Sequence, residues 1–164
     1  ENSLQGDQQI VNIMHEMGLG TKYRDGGVRL TKGNTSNKVV RIDFKTCPDL
    51  AQTVMVTAAV KGIQLEMTGL ESLRIKETDR IAAMTNELKK IGAQLIEDGS
   101  TWTLIPGVVP DKIDPIETYE DHRMAMAFAP VCQVRGIEIL DPEVVNKSYP
   151  AFWDDLRSVG VEIK

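Results

Sequence analysis

The sequence predicts an α/β domain in which sheets cover a core of helices. Three observations carry this expectation: half-buried helices that each end at a glycine, Asp-Gly turns that split the following stretches into hairpins, and a second class of helix that is apolar on most sides. These features recur. Gly18 to Gly92 and Gly62 to Gly136 are both 74 residues apart, so a unit of strand, surface helix, hairpin strands, buried helix and strand occurs about two and a half times.

In the first unit, Ile10, Ile13, Met14 and Met17 fall three or four residues apart and Gly18 follows where a left-handed cap ends a helix. "RDGGVRL" then marks a hairpin turn. "PDLAQTVMVTAAVKGIQLEMTG" reads as a buried helix, a capping Gly62 and an alternating strand. The second unit repeats this order with Ile81, Met84, Leu88 and Ile91 before Gly92, the hairpin signal "EDGSTWTL", and "DHRMAMAFAPVCQVRGIEILDP" as buried helix, Gly136 and strand. Pro130 predicts a bend in that helix, because proline removes a backbone donor. The third unit has Phe152, Trp153, Leu156 and Val159 before Gly160, and "VEIK" reads as the end of a strand. The expected organisation is one domain over 1–164 with repeats near 1–70, 71–142 and a partial copy at 143–164. An opening at Glu1 without methionine predicts a piece of something longer.

A net charge of −5 argues against a nucleic-acid binder, which normally presents a basic face. Any anion site must therefore be a local concentration of cations. No apolar run reaches membrane-spanning length and no leader pattern is visible, so the expected location is the cytoplasm with no membrane partner. Cys47 and Cys132 form no metal or disulfide spacing and are expected as buried thiols of a reducing compartment. His122 has no partner at ligand spacing, so no metal is expected.

The charged residues share one register. Asp49 and Arg123 lie 13 residues before Gly62 and Gly136, while Asp79 and Lys147 lie 13 before Gly92 and Gly160. This places "KETDR", "EDHR" and Lys147 at helix N-termini, where unpaired N–H groups and the peptide dipoles attract anions. Pseudo-symmetry would turn these mouths toward one point carrying Lys76, Arg80, Arg123 and Lys147 with Asp49, Glu77 and Asp121. Cations there oppose the dipole by roughly 0.3–1 kcal/mol each, so a bound polyanion is the economical reason for them. The carboxylates keep the cations from repelling one another and can move protons. Taken singly, each residue has an ordinary role: Asp49 after Pro48 starts a helix, Asp79 or Thr78 caps one, and Lys147 is a surface lysine.

"LRIKETDRIAAMTNELKKIGA", "YEDHRMAMAFAP", "CPDLAQT", "NSLQGD" and "DPEVVNKSYPAFWDDL" together resemble the 5-enolpyruvylshikimate-3-phosphate (EPSP) synthase family. The resemblance implies an inside-out α/β barrel of repeated βαβαββ units, with this chain the C-terminal part of a two-domain, monomeric enzyme whose other domain is a necessary partner. It implies transfer of enolpyruvyl from phosphoenolpyruvate to the 5-hydroxyl of shikimate 3-phosphate, with no metal or organic cofactor. Asp49 would contact the shikimate hydroxyls and accept a proton, and Glu77 would relay one at the methylene carbon. Lys76 would belong to the shikimate-3-phosphate site, and Arg80, Arg123 and Lys147 to phosphoenolpyruvate, with Asp121 in the same binding set and Lys147 also in the catalytic set with Asp49 and Glu77. Ser72 stands where some relatives have an asparagine that touches the sugar phosphate. Two other readings compete: an anion-binding repeat domain without chemistry, and a relative of the enzyme that transfers enolpyruvyl to UDP-N-acetylglucosamine.

Overall fold

A computed structural model describes residues 5–33 and 38–164. Asn2 to Leu4 of the "NSLQGD" motif lie outside the described residues. Helix α1 (Ile10–Glu16) turns at Gly18, whose φ of 88° is left-handed, into the hairpin of β1 (Leu19–Arg24) and β2 (Gly27–Lys32). This hairpin forms a sheet of its own and leaves Tyr23, Val28 and Leu30 exposed.

The second sheet has the order β3-β4-β6-β5, from β3 (Val39–Asp43), β4 (Gln64–Thr68), β5 (Gln94–Asp98) and β6 (Thr101–Ile105). Strands β3 and β4 are parallel, joined by α2 (Ala51–Lys61), whereas β4–β6 and β5–β6 are antiparallel. Alternation along the strands sends Val40, Leu65, Met67, Leu95, Trp102 and Leu104 into the core. Arg41 and Glu66 pair at 2.6 Å on the outer face.

Buried helices fill the space behind this sheet, as the apolar patterns predict. Helix α2 buries Ala51, Gln52, Val54, Met55, Val56, Ala58 and Ala59, which leaves it only a narrow outer stripe of Thr53, Thr57, Val60 and Lys61. Its small side chains let α4 (His122–Phe128) pack against it, and α4 buries Met124, Ala125, Ala127 and Phe128. Helix α3 (Arg80–Lys90) is amphipathic and covers the flank beside β5. No helix among the described residues is long and apolar enough to cross a membrane.

Equivalent features recur at the 74-residue spacing. The N–H of Gly33 donates to the Gly18 carbonyl at 2.8 Å, and Gly107 packs on Gly92, the counterparts 74 positions on. A Cβ on Gly107 would sit 2.0 Å from the Gly92 carbonyl oxygen, backbone against backbone, so nothing can yield. Gly107→Ala is expected to cost about 1–3 kcal/mol, the scale of overpacking. Gly136→Ala, with open space around it, should stay within about 0.5 kcal/mol. Urea midpoints of the two variants check this, and equal midpoints would contradict it.

The structure corrects the sequence reading at five places. Gly136 caps no helix, because α4 stops at Phe128 and tightens into a 3-10 turn over Ala129–Gln133 with Pro130 in its first turn. The predicted bend is thus a change of helix type. The strand expected after Gly136 shrinks to one parallel bridge, Ile116 with Ile139, because the chain leaves the ladder on both sides, at the turn closed by the Asp121 N–H on the Thr118 carbonyl and at the 3-10 turn Pro142–Lys147. "VEIK" has no strand assignment. Cys47 is buried, and burial pushes its thiol pKa up, but Cys132 on the 3-10 turn is only half-buried. Lys147 ends a 3-10 turn over Pro142–Lys147, several residues before α5 (Phe152–Ser158), and so misses the helix mouth.

Candidate functional site

Three chain segments deliver charge to one place. Pro48 starts a short 3-10 turn, Pro48–Leu50, that carries Asp49 into the entrance of α2. Asp79 caps α3 by accepting from the Ala82 N–H at 3.0 Å, which places Arg80 as the first helical residue. Asp121 caps α4 by accepting from the Arg123 N–H at 2.9 Å.

Arg80 is the hub. Its side chain is only 1% exposed, and it spans Asp121 at 2.6 Å through Nε, Asp49 at 2.9 Å through Nη1, and Glu77 at 2.7 Å through Nη2. With a second Nη2 contact to Asp121 at 3.3 Å, one of the five guanidinium N–H groups is left without a partner among the described residues. Arg123 closes the other side by donating to the Asp49 carbonyl oxygen at 3.0 Å and its Oδ2 at 3.3 Å, while the Lys76 ammonium lies 3.3 Å from Asp49 Oδ1. Three carboxylates therefore face three cations. Arg80 needs no bound anion to explain its place at a helix N-terminus, because its carboxylate partners offset the dipole. That corrects the polyanion argument for this one residue.

Burial pushes the Asp49 carboxyl upward, but Arg123, Lys76 and Arg80 outweigh it and hold the pKa below the ordinary carboxylate value. Asp49 is ionised at neutral pH and one-third exposed, as are Lys76 and Arg123, so this trio forms the accessible rim over a buried floor of Arg80 and Asp121. The rim can hold an anion and accept a proton. Among the described residues no group of three or more His, Cys, Asp or Glu is arranged for a metal ion.

Two sequence-selected residues stay outside this network. Lys147 is exposed and makes no ion pair among the described residues. Ser72 is exposed on the 3-10 turn Glu71–Ile75 that leads into Lys76, and its side chain makes no hydrogen bond among the described residues. Arg74 on the same turn bonds Glu97 of β5 and, at 3.3 Å, Asp79. It ties the approach to α3 onto the sheet.

The sequence reading passed over Glu87, a buried carboxylate two helical turns beyond Arg80. It accepts from the Glu117 N–H at 3.0 Å and the Tyr119 hydroxyl at 2.9 Å, and pairs with Lys90 at 2.7 Å. Burial, with Glu87 adjacent, pushes the Tyr119 phenol above its ordinary pKa. Tyr119 and Glu120 have φ of 53° and 57°, and the Asp121 N–H closes their turn onto the Thr118 carbonyl at 2.9 Å. Two adjacent left-handed residues that are not glycine cost roughly 1–2 kcal/mol each. The available signal was an acidic residue in the register Arg80, Met84, Glu87, Ile91, on the inward face of the helix.

The sequence profile of EPSP synthase (3-phosphoshikimate 1-carboxyvinyltransferase) matches residues 1–156. The chain belongs to the EPSP synthase family. A 3-phosphoshikimate 1-carboxyvinyltransferase of Bacteroides fragilis is 45% identical, over 99% of this chain and 40% of that protein. One of Clostridium kluyveri is 39% identical, over 99% and 38%. An EPSP synthase structure from Acinetobacter baumannii shares the fold at a TM-score of 0.72 and 23% identity, covering 94% of this chain and 39% of that one. The chain therefore spans about 40% of the length of the curated relatives it matches. The family's inside-out α/β arrangement agrees with the buried α2 and α4 behind an outer sheet.

Proposed function

We propose that this chain is the C-terminal portion of a two-domain 3-phosphoshikimate 1-carboxyvinyltransferase and supplies half of its substrate cleft. In the reaction the 5-hydroxyl of shikimate 3-phosphate adds to C2 of phosphoenolpyruvate, and the tetrahedral intermediate then loses inorganic phosphate. The observation that carries the reading is the meeting of "KETDR", "EDHR" and Asp49 on one guanidinium. An anion receptor has little use for carboxylates crowded beside its ligand.

Asp49 is the proton acceptor for the attacking hydroxyl, kept ionised by its three cations. Lys76 and Arg123 are the cations a phosphate or carboxylate meets first, being about one-third exposed. A substrate carboxylate that reaches Arg80 must displace a protein carboxylate, and Glu77, with half its side chain in solvent, is the easiest to displace. That exchange frees Glu77 to carry a proton at the methylene carbon, while Asp121 stays buried and keeps Arg80 aimed. Lys147 and Ser72 take part only if the opposing domain brings substrate to them. The remaining partner is the rest of the same polypeptide, the enzyme is monomeric, and its location is the cytoplasm.

Half a cleft cannot exclude water or close over its substrates. The expected result is no phosphate release by residues 1–164 alone and steady turnover once the missing portion is supplied on the same chain. Turnover by the isolated chain would overturn the half-site, and silence of the completed protein would overturn the function.

A further inference from the structure

Three charged side chains are buried among the described residues: Arg80, Asp121 and Glu87. Two of them form the floor of the site, and the third has no part in it so far. We propose that Glu87 is a positioning residue for Arg123, acting through the left-handed turn that delivers Asp121 and α4; this rests on the transferase reading above.

The chain of contacts is continuous. Glu87 accepts from the Glu117 N–H and the Tyr119 hydroxyl, and its partner Lys90 donates to the Pro115 carbonyl at 2.7 Å, so one turn of α3 grips positions 115, 117 and 119. The left-handed pair Tyr119–Glu120 follows at once, then Asp121, which both caps α4 at the Arg123 N–H and holds Arg80. Arg80 and Glu87 are seven residues apart on one helix, hence two turns apart on one face. The helix works as a caliper: one jaw fixes Asp121 directly, and the other holds the strained turn that feeds it. Without the second jaw, Tyr119 and Glu120 can relax to right-handed φ, which redirects Asp121 and swings Arg123 away from Asp49.

The test uses the completed enzyme and three variants: E87Q, E87Q/E120G and E120G alone. Glu120 is exposed, and glycine suits the second position of a turn with two left-handed residues. In E87Q the KM for phosphoenolpyruvate should rise about tenfold while that for shikimate 3-phosphate moves less than twofold. E87Q/E120G should recover to within about threefold, since glycine holds the turn unaided. A role in stability alone would lower the folded fraction and leave KM unchanged. An unchanged KM in E87Q overturns the proposal, and so does a double variant that shows no recovery. If the wild-type enzyme releases no phosphate, the transferase reading has failed and hydrogen exchange decides this proposal by itself. The Arg123 amide should then exchange at least about tenfold faster in E87Q than in wild type, and equal rates overturn it.

Discussion

Arg80→Met is expected to cost about 3–5 kcal/mol of folding stability, the range for removing one partner of a buried ion pair, and to abolish turnover in the completed enzyme. The substitution roughly preserves the volume of the stem but strips the guanidinium from three carboxylates at once. Asp121, fully buried, is left with backbone N–H contact at Arg123 and a distant imidazole, at 3.8 Å, on His122. Glu77 can turn to water; Asp121 cannot. A typical domain has a net stability of only about 5–15 kcal/mol, so the variant should sit near its folding threshold. Lysine is no substitute, because an ammonium is a point charge and cannot span Asp121, Asp49 and Glu77 in the fork geometry. The outer-face pair gives the control: Arg41→Met removes an ion pair of an arginine side chain that is 76% exposed, and should cost under about 1 kcal/mol. Urea titration of both variants checks the contrast. A loss at Arg80 no greater than that at Arg41 would show that the hub contributes nothing special.

Asp49→Asn is expected to lower turnover of the completed enzyme by about 10²–10⁴-fold, the scale of a general base, with KM for phosphoenolpyruvate changed far less. Asparagine keeps the shape and the contact to Arg123 through its carbonyl but cannot take the hydroxyl proton. A phosphate-release assay across substrate concentration separates the two effects, and loss of affinity at unchanged turnover would favour the anion receptor over the enzyme. The same substitution has a pH signature. The Asp49 pKa is held below its unfolded value, so its stabilising contribution is fully present above about pH 4, near the unfolded carboxylate pKa, and disappears as pH falls through the lowered folded value. The amide of the D49N variant does not titrate and has no such dependence. The wild-type midpoint should therefore fall more steeply than the variant's below about pH 4.

Much of this architecture was written in the pattern of glycines and apolar residues. Gly18 and Gly92 end helices because their φ values are left-handed, and the two Asp-Gly signals mark two-residue hairpin loops, Asp25–Gly26 in the first and Gly99–Ser100, one residue later than the signal, in the second. The convergence of Asp49, Glu77, Arg80 and Arg123 followed from register alone, since residues in one position of a repeated unit meet at its pseudo-axis. Register failed where proline intervened. Counting back 13 from Gly160 assumed a helix as long as α3, but α5 has 7 residues, because Pro150 disfavours helix at Tyr149 and delays its start. Lys147 consequently fell on the preceding 3-10 turn. Glu87 was invisible for a different reason: a carboxylate in a helix rich in lysine reads as a solvated face, and only the fold reveals that Tyr119 and Lys90 enclose it.

Asp49 and Arg123 stand 74 positions apart and touch. A pair of identical units brought together about this axis would set carboxylate on carboxylate, or guanidinium on guanidinium, at hydrogen-bonding range. Such an assembly repels itself at its own centre. The two copies must differ at this point for the cleft to exist, so no homodimer of either unit can reproduce it, and the divergence of the repeats at this one register is what turns self-repulsion into an ion pair.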